Sequence, residues 1–296
     1  MRLPRETVYF DFADSADILE ERFGNNIDAI VNGIQSEIDN RQPGASVFAN
    51  CHRLCLIGAM RQWFAEIHRR HSEAAYERFA REIARPEDSI ITFNYDVALD
   101  SKLRESGKWS IGDGYGFPIE GLPTGSPVKI LKLHGSINWL AILFGGMPGS
   151  AIPASGPFGS RPVFGTDDLT MLGYSGVSDP RFRRPAGAVS PFILPTNRKR
   201  FFFDTNLGRQ WELFWRRLWS AAKRAVQGSE RIVVCGYGMC RIDRRGRNLL
   251  LRGKLDGGIE VCCGTDSPLI VQEIQDHGRR AYMAEQTLFE QWVAAH

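Results

Sequence analysis

The sequence has no apolar run approaching the roughly eighteen residues that a bilayer crossing needs. Its first residues, MRLPRETVYFDF, contain no apolar core of the secretory type. Both absences predict a cytoplasmic chain with no membrane partner. A dominant charge is also lacking: 37 basic residues stand against 34 acidic ones, a net charge of +3. That balance argues against a dedicated nucleic-acid binder. The basic residues do cluster, in RFRRP (181–185), NRKRFFF (197–203) and RIDRRGR (241–247), and such clusters are read first as solvated surface. Paired C-x2-C knuckles are missing as well. Cys51, Cys55, Cys235, Cys240, Cys262 and Cys263 are spaced C-x3-C, C-x4-C and C-C, so no metal site is expected and the thiols read as reduced and mostly buried. There is no internal repeat and no low-complexity tract.

What is present is an ordinary globular composition, 43% apolar and 24% charged over 296 residues. That length supports one large α/β domain or two smaller ones. Residues 14–40 place Ile18, Leu19, Phe23, Ile27, Ile30, Val31 and Ile34 at gaps of three and four, predicting an amphipathic helix broken near Gly24-Asn25-Asn26. Further helices are expected over 51–69 and about 73–84, giving a helical N-terminal part over 14–84. Strands are expected at 86–94, 128–135, 231–238, 258–264 and 280–284. Helices are expected from about 95 to Gly107 and over 207–227, where Trp211, Phe214, Trp215, Leu218, Trp219 and Ala222 form one apolar face. Residues 141–190 are rich in Gly, Pro and Ser and read as an irregular insertion, followed by a short extended SPFILPTN (190–197). Strands alternating with helices predict an α/β fold, Rossmann-like, with a mostly parallel sheet and helices on both faces, in a single domain over 1–296.

In an open parallel sheet, ligands bind outside the carboxyl ends of the strands. Three predicted strands end in polar or glycine-rich turns: ITFNYD (91–96), KLHGS (132–136) and CGYGMCRID (235–243). Each has a structural reading of its own. Asn94 or Asp96 would serve as the N-cap of a helix beginning at about 95–97. His134 would serve as a hydrogen-bonding residue, and Gly236-Tyr237-Gly238 as a tight turn. Their convergence is what points to one site.

The three blocks in this order resemble the sirtuin-like (SIR2-like) family, and most closely its bacterial NAD-hydrolase branch, several members of which act in anti-phage defence. That branch carries T-x-N-Y-D, L-H-G-S and G-Y-S followed by Asp. The resemblance covers roughly residues 88–140 and 188–265. It implies a sirtuin fold and an NAD glycohydrolase (NADase), with NAD as substrate and no metal. Asn94 would position water or ribose at the nicotinamide-bearing carbon, Asp96 would orient its neighbours, and His134 would act as general base. Thr92, Gly135, Ser136, Gly236, Tyr237, Gly238 and Asp243 would line the dinucleotide, though a turn-forming role for Asp243 remains equally open. The resemblance further implies control by oligomerisation or by a partner defence protein. The residue types suit the reaction. Breaking the nicotinamide–ribose bond expels a group that is already cationic, so the site needs a hydrogen-bonding amide and a base near neutrality rather than a strong acid.

Two departures qualify the match. The family's G-A-G-x-S phosphate loop has no counterpart in residues 1–90, where PGAS (43–46) is the nearest sequence. Such glycines let backbone approach a pyrophosphate at a helix N-terminus. Either a strand and loop precede Met1 in a longer parent, or the site is degenerate. Gly238 stands where the family has Ser, and removes a hydroxyl. Sirtuin deacylases of the eukaryotic type carry a four-cysteine zinc module, and its absence from this sequence argues against lysine deacylation. Two functional classes therefore follow: an NAD-cleaving enzyme, and a non-catalytic relative used for nucleotide sensing or protein interaction.

Overall fold

The computed structural model describes residues 15–24, 29–30, 33, 36, 73–113, 115–116, 124–143, 163–164, 188–193, 206–241, 243–252 and 257–296. The elements are α1 (Ser15–Phe23), α2 (Ala74–Arg78) with a π-turn (Phe79–Ile83), β1 (Ser89–Thr92), α3 (Ala98–Glu105), β2 (Lys129–Lys132), β3 (Gly135–Leu143), β4 (Val163–Phe164) and β5 (Ala188–Ile193). Then follow α4 (Asn206–Gln227), β6 (Ile232–Cys235), α5 (Arg244–Leu251), β7 (Ile259–Cys262), α6 (Ser267–Asp276), β8 (Ala281–Met283) and α7 (Phe289–Ala295). The expected helix at 51–69, the PGAS segment, Cys51, Cys55 and the basic clusters at 181–185 and 197–203 lie outside the described residues, as do the side chains of Trp211 and Phe214. The class is mixed α/β with small sheets. Among the described residues no helix is long and apolar enough to cross a membrane.

The chain divides into two compact units. The first comprises Met1–His71, Asn94–Val97 and His134–Leu213. Here α1 stops at Gly24, whose φ of +80° suits a residue without Cβ, and the expected break is found there. The sheet of this unit is antiparallel, in the order β4-β3-β5. Two expectations are corrected by it. The strands do not form one sheet, since the chain holds an antiparallel sheet as well as the parallel pairing of β1-β2 and β6-β7-β8, and the segment 141–190 is not wholly irregular, because the end of β3, all of β4 and the start of β5 fall within it. The cause sits at one turn. The apolar run VKILKLHGSINWLAIL reads as a strand with a loop after it, but Leu133-His134 turn and Gly135 takes φ +87°, so the run becomes two strands in different sheets. Pro191 pairs with Leu140 from the edge strand β5, the place where a missing N–H is tolerated.

The second unit comprises Ser72–Phe93, Ala98–Leu133 and Phe214–His296. It holds two parallel sheets. β1 pairs with β2, with Thr92 opposite Lys132, and β6-β7-β8 pair in that order. All four residues of β7 are buried, as a central strand covered on both faces requires. Ile259 and Val261 pack with Val234, Leu250 and Leu251 of α5 and Ile270 and Ile274 of α6. Alternation sends Cys262 the other way, against Trp292 and Val293 of α7 and Phe79 and Ile83. On α4, Trp215, Leu218, Trp219 and Ala222 recur at helical spacing and are all buried, as the sequence predicts, and Val226 extends the buried face. Cys262 is buried and Cys235 and Cys263 are half-buried, but Cys240 is exposed on the turn after β6, which departs from the expectation of buried thiols there.

Glu260, also on β7, is a buried carboxylate held by two donors: Arg231 Nη2 at 2.5 Å and Trp292 Nε1 at 3.0 Å. Burial alone would raise its pKa, but these hydrogen bonds outweigh burial and hold it below the usual carboxylate value of 4.5. A depressed folded-state pKa stabilises above the unfolded value and is lost as pH falls through the folded one. The stability difference between wild type and Glu260→Gln is therefore expected to shrink as pH drops below 4.5. Parallel urea titrations of the two proteins across that range check it; a pH-independent difference would refute the ion-pair account.

Candidate functional site

The unit boundary falls between Phe93 and Asn94, and again between Leu133 and His134. The candidate residues are thus divided. Asn94, Asp96, His134, Gly135 and Ser136 belong to the first unit, and Thr92, Gly236, Tyr237, Gly238 and Asp243 to the second.

In the first unit, Asn94–Val97 is an irregular segment with Asn94 exposed and Asp96 half-buried. α3 starts only at Ala98, so neither Asn94 nor Asp96 occupies its N-cap, which corrects that reading. The Ser136 hydroxyl, fully buried, donates to the Tyr95 carbonyl at 3.2 Å. That bond ties the N-Y-D segment to the H-G-S segment across 41 residues of sequence. His134 is 3% exposed, and its ring lies 6.3 Å from that of Tyr95, tilted by 35°. Gly135 is a strand residue, the first of β3, rather than part of an open turn, and its left-handed backbone brings the chain from the His134 turn into β3. The first unit therefore holds an amide, a carboxylate and an imidazole on two segments joined by a buried hydrogen bond.

In the second unit, Thr92 ends β1 and its carbonyl accepts the Leu133 N–H at 2.9 Å. With the parallel register this puts the carboxyl ends of β1 and β2 side by side. At the end of β6 the chain turns through Gly236 at φ +63° and Met239 at φ +44°, the latter a non-glycine residue in the left-handed region. Tyr237 stacks on Phe93, with ring centroids 4.4 Å apart. Its hydroxyl donates to Asp243 Oδ2 at 3.0 Å, and the other carboxylate oxygen accepts the Gly246 N–H at 3.1 Å. Asp243 is 2% exposed and is the N-cap of α5. Burial, with the Asp243 carboxylate beside it, pushes the Tyr237 phenol far above its ordinary value, so it stays a donor. Of the two roles left open for Asp243, the structure displays the turn-forming one. A Cβ added at Gly238 would meet Asp266 Oδ2 only at 3.7 Å, so the missing hydroxyl does not reflect crowding.

Sequence reasoning passed over Gly246. A Cβ there would come within 2.3 Å of both Asp243 Oδ2 and the Tyr237 hydroxyl. The motif RIDRRGR offers a faint signal, a glycine inside a helix where it is normally unfavourable. Gly246→Ala is expected to break the Tyr237–Asp243 bond and cost about 1–3 kcal/mol by overpacking. Thermal unfolding measures it, and an unchanged Tm would show that the network relaxes freely. The second omission is the triad of Asp100, Tyr115 and Lys132. All three are at most 1% exposed, and Asp100 Oδ2 accepts from Lys132 Nζ at 3.0 Å and from the Tyr115 hydroxyl at 2.9 Å.

Among the described residues no group of three or more His, Cys, Asp or Glu side chains is gathered as a metal would require. The thiols near the strand ends are poor nucleophiles: burial pushes Cys235, Cys262 and Cys263 all upward. Compared with known proteins, the chain matches no family model, no curated protein and no solved structure.

Proposed function

We propose that the chain is a sirtuin-like NAD glycohydrolase of Rossmann-like fold. The observation that carries this reading is the Ser136–Tyr95 hydrogen bond, because it joins the two sequence blocks that hold Asn94, Asp96 and His134. In the reaction the bond between nicotinamide and the ribose anomeric carbon breaks heterolytically. The electron pair goes to the pyridine nitrogen, which leaves neutral. A water oxygen attacks the anomeric carbon and its proton passes to His134, then to solvent. NAD and water give nicotinamide, ADP-ribose and a proton. Asn94, exposed, meets the ribose or the water, and Asp96 orients its neighbours. His134, nearly buried, is a base in a largely dry environment. None of these steps calls on a metal. The link to anti-phage defence, and control by self-association or a partner defence protein, belong to the same proposal and rest on the sequence resemblance.

One observation favours a second reading, a non-catalytic nucleotide-sensing or protein-interaction module. Tyr237 donates to Asp243, Asp243 also accepts the Gly246 N–H, and Gly238 offers no hydroxyl. The Gly236 N–H is engaged as well, donating to the Cys262 carbonyl at 3.0 Å.

The deciding experiment is incubation with millimolar NAD and quantification of nicotinamide and ADP-ribose. Equimolar release of both is expected. A rise in Tm with NAD but no release would favour the sensing module. Neither release nor a Tm rise would reject both nucleotide-linked readings and leave the protein-interaction module.

A further inference from the structure

Within the second unit, α4 and α5 line a groove with an unusual charge. On α4 the groove residues Ser220, Lys223 and Gln227 are spaced by three and four, and on α5 and its C-cap so are Arg245, Asn248 and Arg252. Such spacing places each trio on one helical face. Neighbouring helices normally present apolar residues to each other along such a stripe. Here the two stripes present three cations and three neutral polar side chains, above an apolar floor that includes Trp219. Among the described residues no carboxylate lines the groove, although the whole chain has nearly as many acidic as basic residues. The Arg245 guanidinium lies over the Trp219 ring, 4.9 Å from its centroid, which holds that cation in place instead of leaving it to swing in solvent. The cavity has a volume of about 360 Å³, at the small end of the range for small-molecule sites.

We propose that the α4–α5 groove binds a small phosphorylated anion of at least two negative charges, of the pyrophosphate or phosphate-ester class. Guanidinium forks match phosphate oxygens two at a time, Lys223 adds a point charge, and Gln227 and Asn248 supply neutral donors for the remaining oxygens. A single carboxylate would satisfy one cation of three and leave the others facing each other. A nucleic-acid backbone is the poorer match. Its affinity comes from many cations spread along many phosphates, whereas the groove collects three at one place. The site carries no requirement for a nicotinamide group, so it stands or falls separately from NAD cleavage.

The test is calorimetric titration of the full chain with inorganic pyrophosphate at low ionic strength. One ligand per chain is expected. The double variant Lys223→Gln/Arg252→Gln is expected to weaken binding at least about tenfold, and Lys129→Gln, an exposed lysine on β2, to leave it unchanged. All three substitutions remove exposed cations, and far-ultraviolet circular dichroism confirms that each variant is folded. Absent binding, several ligands per chain, or equal weakening by Lys129→Gln would overturn the proposal. So would a double-stranded oligonucleotide that binds more tightly than pyrophosphate with a steep salt dependence.

Discussion

Lys132→Met is expected to destabilise the chain by about 3–5 kcal/mol. Lys132 is 0% exposed and donates to Asp100, itself 1% exposed, at 3.0 Å. Removing the ammonium takes the opposite charge away from a buried carboxylate that the Tyr115 hydroxyl also hydrogen-bonds, at 2.9 Å. A buried charge stripped of its counter-ion is among the costliest single changes, since it keeps the desolvation and loses the attraction. Two companion variants separate that cause from lost packing. Tyr115→Phe removes one hydrogen bond to the carboxylate and is expected to cost about 1–3 kcal/mol. The double variant Lys132→Met/Asp100→Leu removes both charges and is expected to recover most of the loss, because a buried pair is often no better than apolar residues of similar volume. Urea midpoints for the four proteins give the comparison. If Lys132→Met costs under about 1 kcal/mol, the pair is not held as the geometry indicates.

His134→Ala is expected to lower nicotinamide release by a factor of about 10²–10⁴, the usual contribution of a general base. His134 is almost fully buried, so truncation to Ala also loosens packing near Tyr95. His134→Gln keeps most of the volume and a hydrogen-bonding end but has no basic nitrogen. The two variants should therefore lose activity alike while differing in Tm. Asn94→Ala supplies the opposite control. Asn94 is exposed, so its replacement should cost less than about 1 kcal/mol in stability while lowering release. A His134→Gln protein that retains full release would remove the base from the mechanism. An Asn94→Ala protein with unchanged turnover would remove the amide.

Parallel strands were legible where the code is local. SIITFN, RIVVC, GIEVCC and RAYM are short segments bounded by turn residues, and each contains a strand. The face of α4 was legible for the same reason, because Trp215, Leu218, Trp219 and Ala222 fall on one stripe whatever packs against them. The break at Gly24 needed only a glycine able to take positive φ. The polar strand ends, too, could be picked out from residue types alone.

Partnership was not legible. The sequence determined that Asn94, Asp96 and His134 follow apolar segments, that no long apolar span or dominant charge is present, and that α4 has one buried face. Only the tertiary structure decided that the hydroxyl of Ser136 holds the Tyr95 carbonyl, and that Asp243 caps α5 with Tyr237 on its second oxygen. It also decided that Asp100 reaches a lysine 32 residues away, and that the run after His134 joins an antiparallel sheet. The physical reason is range. Periodicity and turn chemistry act over a few residues and are written in them, whereas a buried polar group must find its partner wherever the fold brings a donor, and that distance is set by packing, not by spacing along the chain.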